Sequence, residues 1–221
     1  NGETRPLGIP TVKDRVAQMA VKLVIEPIFE ADFKDCSFGF RPKRSAHQAL
    51  KIVHAKSNRQ KWVVDVDLKG YFDTIPHVEL MNKVRDRIHE KSLIHLIRRW
   101  LKASILDEGR LSRPKSGSPQ GGVLSPLLSN IYLNEIDRVW DAKDGHYTRY
   151  ADDMVIQCYS KSQAEKALVK LTEMLTDLGL TLNEEKTCIR HVEEGFDFLG
   201  FTFKEAMNKV TKQKVRIKFP R

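Results

Sequence analysis

Apolar positions early in the chain recur at helical spacing. From Val12 to about Phe29 the residues Val16, Met19, Ala20, Leu23, Val24 and Ile28 form the apolar face of a predicted helix, with Thr11 as N-cap and Asp14 in the capping-box position. Ser45 caps a second predicted helix through Ala46, Ala49, Leu50 and Val53. Lys61 to Phe72 then switches to period two. Trp62, Val64, Val66 and Leu68 point one way and Val63, Asp65, Asp67 and Lys69 the other, which predicts a strand with two acids on one face. Val78–Ile88 and Ser92–Ile105 read as amphipathic helices whose polar faces hold Lys83, Arg85, Arg87, Arg98, Arg99 and Lys102. An apolar helix is expected over Ser125–Trp140, with Pro126 tolerated in its first turn, and another over Ser162–Leu178, ended by Gly179. Leu180–Lys186 reads as a strand and turn, Phe196–Phe203 alternates like a hairpin strand, and Lys212–Lys218 alternates basic with apolar residues. Helices mixed with hairpin strands place the chain in the α+β class.

The stretch Tyr147-Thr148-Arg149-Tyr150-Ala151-Asp152-Asp153-Met154-Val155-Ile156 reads as two strands meeting at a tight turn whose tip carries two adjacent carboxylates. Two like charges at a strand end disfavour each other's ionised form unless a cation lies between them. Oxygen-only ligands suit Mg²⁺, held by one or two carboxylates and the phosphates of a substrate. A polar hairpin turn is the simpler account of the same pair, since Asp is a common turn residue.

The 38 Lys and Arg against 29 Asp and Glu give a net charge of +9, which favours a polyanionic partner, nucleic acid before membrane. No apolar run approaches the length of about 18 residues that a membrane span needs. Cys36, Cys158 and Cys188 are scattered and odd in number, which points to a reducing cytoplasm and away from a disulfide framework or zinc site. Asn1-Gly2, a hairpin dipeptide, opens the chain abruptly, as if a preceding strand were missing.

Three features occur in order: an acidic strand leading to Tyr71-Phe72, a Pro119-Gln120-Gly121-Gly122 loop opening a helix, and the Tyr150-Ala151-Asp152-Asp153 hairpin. This order resembles the fingers and palm of a right-hand polymerase of the reverse transcriptase family. Arg5-Pro6-Leu7-Gly8-Ile9-Pro10, Phe38-Gly39-Phe40-Arg41-Pro42, Ser118 to Pro126 and Phe198-Leu199-Gly200-Phe201 look like the group II intron-encoded maturases within it. The resemblance covers nearly the whole chain. It departs at Thr74-Ile75-Pro76-His77, where an Asn and an Asp flanking the Ile would be expected.

The resemblance implies an antiparallel palm sheet backed by helices, with fingers over residues 1–60, palm over 61–203 with fingers helices inserted at about 78–115, and a basic strand over 204–221 leading toward an absent thumb. It implies RNA-directed DNA polymerase activity: dNTP addition to a DNA primer 3′-OH on an RNA template, with intron RNA bound for splicing and mobility. Two Mg²⁺ ions about 3.5–4 Å apart would stabilise the attacking and leaving oxygens. Asp67, Asp152 and Asp153 are the implied metal ligands and Lys186 the implied proton donor to the leaving pyrophosphate. Asp67 is preferred to Asp65 because Asp67 to Phe72 carries the family's spacing from acid to aromatic. Arg5 would grip the triphosphate, Gly70 and Tyr71 would offer backbone groups to the sugar, Phe72 would exclude a 2′-hydroxyl, and Gln120 and Gly121 would pack on the nucleotide. Phe198, Leu199, Gly200 and Phe201 would hold the primer terminus. Without a thumb, such a chain is expected to hold primer–template weakly.

Two other classes remain: an RNA-binding splicing cofactor with a vestigial polymerase site, and a palm-fold cyclase or nuclease. The intact acids with Gln120 and Lys186 weigh against the first, and the Pro-Gln-Gly loop against the second.

Overall fold

The computed structural model describes residues 8–103, 105–107, 110–112, 116–119, 121–207 and 214–220. The chain divides into two compact units, one drawn from residues 1–34, 70–135 and 178–180, the other from 35–69, 136–177 and 181–221.

The first unit is mainly helical. Helix α1, Val12–Glu30, begins where the Thr11 hydroxyl accepts from the Asp14 N–H at 3.2 Å and donates to its carboxylate at 2.7 Å. The buried stripe of α1 is Gln18, Val21, Ile25 and Phe29, whereas Val12, Val16, Met19, Leu23 and Val24 are exposed. The apolar face expected from the sequence is therefore rotated from the one the fold buries. Two apolar stripes share this helix, and the inward one admits Gln18 because its side-chain oxygen accepts a bond from the Leu124 N–H at 3.4 Å. Helices α3 (Tyr71–Thr74), α4 (His77–Arg85) and α5 (Lys91–Leu101), a short β2–β3 hairpin (Ile105–Asp107 and Arg110–Ser112) and most of α6 (Ser125–Val139) complete the unit. Its core gathers Ile25, Phe29, Ile75, Leu80, Val84, Ile97, Leu127 and Ile131.

In the second unit, helix α2 (Ala46–Lys56) has the full reciprocal cap: Ser45 accepts from Gln48 and Gln48 returns a bond to the Ser45 backbone. Strands β1 (Trp62–Val66), β4 (His146–Tyr150), β5 (Asp153–Cys158) and β6 (Cys188–His191) form an antiparallel sheet in the order β4-β5-β1-β6. Val63 and Val64 are both fully buried, so central strand β1 is covered on both faces instead of alternating inside and out. Helix α7 (Lys161–Asp177) packs along β1, β5 and β6 through Ala164, Ala167, Leu171 and Leu175. A cluster of Phe38, Leu50, Val53, Val63, Val155, Phe196, Phe198 and Phe203 joins the sheet to α2 and to a second sheet of β7 (Phe196–Phe198), β8 (Phe201–Met207) and β9 (Lys214–Pro220).

Three strand expectations change, the first at Leu180–Lys186, which makes only an isolated bridge between Leu182 and Leu68 before its turn. The Lys61–Phe72 strand stops at Val66; Gly70 adopts a left-handed conformation (φ +57°), and Tyr71 and Phe72 enter helix α3. The Phe196–Phe203 segment is two strands, with both loop residues Leu199 and Gly200 at positive φ, as a two-residue primed hairpin turn requires. No helix among the described residues is long and apolar enough to cross a membrane.

Arg149 on β4 is fully buried. It grips the buried Asp137 through two guanidinium nitrogens, Nε at 2.9 Å and Nη2 at 2.5 Å, and its Nη1 donates to the Ala151 carbonyl at 2.9 Å. Removing one partner of such a pair strands a charge without solvent. Asp137→Asn is expected to cost roughly 3–5 kcal/mol. Urea unfolding measures this, and replacing both residues with apolar ones, Arg149→Met with Asp137→Leu, should recover most of the loss.

Candidate active site

The site grows from the β4–β5 hairpin. Its two-residue turn is Ala151-Asp152, closed by the Tyr150–Asp153 pair, and Ala151 takes a left-handed backbone at φ +56°. A non-glycine residue in that region needs outside support. Arg149 supplies some by holding the Ala151 carbonyl, and the backbone at Gly39 packs against the same turn. A Cβ at Gly39 would stand 2.3 Å from the Ala151 nitrogen, so the 35–42 loop lies directly on the turn backbone. The Cys36 carbonyl accepts from the Arg149 N–H at 2.8 Å, the Phe38 N–H donates to the Arg149 carbonyl at 2.9 Å, and the Phe40 ring lies 6.3 Å from Tyr150.

Antiparallel register then brings in the second strand. The β1–β5 ladder ends at Val66 opposite Met154, so the next residues outward on the two chains are Asp67 and Asp153. Asp67 is clasped from β6's approach: its N–H donates to the Thr187 hydroxyl at 3.2 Å, that hydroxyl donates to the Asp67 carbonyl at 3.3 Å, and the Asn183 N–H donates to the same carbonyl at 2.8 Å. Lys186 Nζ stands 4.0 Å from the Asp67 carboxylate, both side chains open to solvent. The second unit therefore collects Asp67, Asp152, Asp153 and Lys186 at one place.

Crowding marks the electrostatics. Asp153 is pushed up to about 6, by desolvation first and then by the charges of Asp152 and Asp67. Its side chain still reaches solvent, and the like charges of Asp152 and Asp67 add to the cost of ionising it. Asp65 is also pushed up to about 6; burial dominates, Arg190 opposes it, and Asp197, Asp153 and Asp67 add to it. Asp65 thus belongs to the same electronegative neighbourhood. The donor set is oxygen-only, which fits Mg²⁺ or another hard divalent cation. Among the described residues no three His, Cys, Asp or Glu side chains form a ready-made metal cage. The fit is to a cation held by one or two carboxylates and completed by water or phosphate oxygens.

In the same unit, Phe198 is buried in the aromatic cluster, and Leu199, Phe201 and Tyr150 pack partly buried against it. The Phe198–Phe201 hairpin and the acidic hairpin therefore share one core, with Gly200 left exposed at its tip.

The first unit holds the other candidates. Tyr71 is buried and donates to the Ser129 carbonyl at 2.8 Å; Phe72 is half-buried with its ring edge-on to Tyr71 at 5.4 Å. The loop before α6 is stitched to this turn. The Ser118 N–H donates to the Phe72 carbonyl at 2.6 Å and the Gly117 N–H to the Ile75 carbonyl at 2.8 Å, while His77 Nε2 lies 2.6 Å from the Gly117 carbonyl. A Cβ on Gly117 would meet the Phe72 carbonyl at 2.7 Å. The loop carrying Gly121 and the turn carrying Phe72 are thus one piece of structure. Arg5 and Gln120 lie outside the described residues.

Sequence reading missed Gly39, Arg149, Asp137, Thr187 and His77. Only Gly39 had a local signal, as a glycine in an aromatic-rich loop. The others act through partners 12 to 120 positions away.

A model of the family "Reverse transcriptase (RNA-dependent DNA polymerase)" matches residues 1–203. The chain is 39% identical to Protein YkfC of Escherichia coli over 90% of its own length and 63% of YkfC's. It is 46% identical to group II intron-encoded protein LtrA of Lactococcus lactis, over 61% of the chain and 22% of LtrA. Among solved structures it shares the fold of apo telomerase from Candida tropicalis, with a TM-score of 0.67 at 17% identity, covering 93% of this chain and 46% of that one. The chain spans under two thirds of the length of these relatives. With the acidic hairpin, the paired strand end and the family match over residues 1–203 in agreement, the chain belongs to the reverse transcriptase family, and its likeness to LtrA places it beside the group II intron-encoded members.

Proposed function

We propose that the chain is the polymerase portion of a group II intron-encoded reverse transcriptase, adding dNTPs to a DNA primer on an RNA template and binding intron RNA for splicing and mobility. The observation that carries this reading is the meeting of Asp67 and Asp153 at adjacent strand ends, with Asp152 on the turn beside them and Lys186 next to Asp67. On this reading the carboxylate-bearing sheet is the palm, and residues 1–60 with the helices of about 78–115 are fingers.

Asp67 and Asp152 would hold Mg²⁺, with Asp153 as the third acid. When bound, the ions would stabilise negative charge on the attacking and leaving oxygens of the phosphoryl transfer. The residues of the chain do the positioning. The Thr187 and Asn183 bonds set the Asp67 backbone, and the Arg149–Ala151 bond sets the turn that presents Asp152. Lys186 would lend a proton or a positive charge to a departing pyrophosphate, a role that its Nζ 4.0 Å from the Asp67 carboxylate supports. Phe72, anchored through its carbonyl to the Ser118 loop, would set the space allowed at the sugar 2′ position.

Primer extension on an RNA template, with dNTP or rNTP and with Mg²⁺ or EDTA, tests the proposal. Asp152→Ala should abolish extension while RNA affinity stays nearly intact; unchanged extension would remove Asp152 from the site. Phe72→Ala should raise rNTP incorporation relative to dNTP.

The acids also carry a stability cost with a defined pH window. Asp65 has a folded pKa of about 6 against an ordinary 3.8, so the folded state binds more protons than the unfolded state between those values. Stability therefore falls as pH rises through the window, and the penalty is complete above it. Asp65→Asn should raise stability at pH 7.5, by about 1–2 kcal/mol after discounting for partial exposure, and leave it unchanged below the unfolded pKa. Urea melts at the two pH values measure it. Millimolar Mg²⁺ should raise the melting temperature of the parent chain more than that of Asp152→Ala, because a ligand of the folded state alone stabilises it.

A further inference from the structure

The corner where α4 gives way to α5 carries a second candidate site, made wholly within the first unit. Arg85, Ile88 and His89 line it from the end of α4 and the turn after it, and Lys91, Ile94, His95 and Arg98 from α5. The α5 set is spaced i, i+3, i+4, i+7, one face of a helix. The hollow is open to solvent and has a volume of about 410 Å³. That volume suits one small ligand.

Its chemistry is one-sided. Among the described residues no carboxylate forms an ion pair with Arg85, Lys91 or Arg98, whereas Lys83 and Arg87 on the flanks are paired with Glu135 and Asp32. Two acids adjoin these cations in sequence: Asp86, exposed after Arg85, and Glu90, beside Lys91, whose carboxylate accepts from the Ser92 N–H at 3.0 Å and hydroxyl at 2.7 Å as the cap of α5. Arg85 uses one guanidinium nitrogen on the Asn82 side chain at 3.0 Å, which leaves further donors of its fork. Between these cations lies an apolar patch of buried Ile88 and half-buried Ile94, flanked by the exposed imidazoles of His89 and His95. A simple anion needs no such patch. Cations around an apolar floor beside aromatic rings match a phosphate joined to a base, and unstacked bases of single strands are held in this way.

We propose that this hollow binds one nucleotide of a single-stranded polynucleotide, with Arg85, Lys91 and Arg98 on its phosphate and its base over Ile88 and Ile94 beside His89 and His95. This deepens the polymerase reading, since it supplies a strand contact on helices that carry none of the candidate catalytic carboxylates.

The test is fluorescence anisotropy of the chain with fluorescein-labelled 12-mers of oligouridylate and oligothymidylate between 50 and 300 mM KCl. Arg85→Gln with Arg98→Gln should weaken binding roughly three- to tenfold and flatten the slope of log affinity against log salt by about 0.7, the release for one single-strand phosphate. Arg98→Lys should keep the slope, and His95→Ala should weaken binding without changing it. Loss on both oligomers shows a contact shared by RNA and DNA; loss on oligouridylate alone shows one for RNA. The proposal fails if neither changes, or if Lys51→Gln with Lys166→Gln, on exposed helix faces of the other unit, flattens the slope as much. Uridine monophosphate should also shift the His89 and His95 imidazole resonances, and their standing still would overturn the proposal. Primer extension by the same variants separates the two readings. Pocket-dependent binding without extension by the parent chain sinks the polymerase assignment alone, and extension with pocket-independent binding sinks this site alone.

Discussion

The buried pair between Arg149 and Asp137 is the constraint on which the acidic hairpin depends. Arg149 is fully enclosed in β4, where an unpaired guanidinium would be far less favourable than in water. Two nitrogens go to Asp137 near the end of α6, and the third reaches forward to the carbonyl of Ala151. One side chain thus ties a helix, a strand and a strained turn together. The turn cannot relax without breaking a bond to a buried charge. Such a pair adds little net stability over an apolar replacement, so its value here lies in geometry.

The carboxylates at that turn work against the fold. Asp67, Asp153 and Asp197 act electrostatically on Asp65, and Asp67 and Asp152 act on Asp153; burial raises Asp65, and desolvation with those like charges raises Asp153, both toward neutral pH. A protein selected only for stability would avoid the arrangement. It is tolerable because the surroundings are over-determined: Gly39 pressed on the Ala151 backbone, Thr187 bonded to both polar groups of Asp67, and the aromatic cluster under Tyr150 and Phe198. Perturbed acids on a braced turn mark a functional site more often than a structural one.

The first unit shows a comparable economy with backbone bonds. The loop before α6 has few side chains to bury, and it is secured by main-chain bonds from Gly117 and Ser118 to the α3 turn and by His77 on the Gly117 carbonyl. His77 sits in the short stretch where the sequence departs from the family pattern. That departure is therefore occupied by a structural contact.

Most elements were legible because their signals are local. The Ser45–Gln48 cap, the β-branched run through Trp62–Val66, the period of α7 and the acidic turn each declare themselves within a few residues. The buried face of α1 was not legible, since a helix with two apolar stripes does not say which one faces inward; the Leu124 N–H, over a hundred residues away, draws Gln18 in. The strand after Asp67 was read too long because alternation continues past the point where Gly70 turns the chain. By itself the sequence determined that three acids, a glycine-rich loop and a net positive charge occur in the order of a reverse transcriptase, because residue types and spacing are written along the chain. Only the tertiary structure decided that Asp67 meets Asp153, that Asp65 joins them and that Arg149 is enclosed. Register, burial and distance arise when segments remote in sequence pair, and no local pattern encodes them.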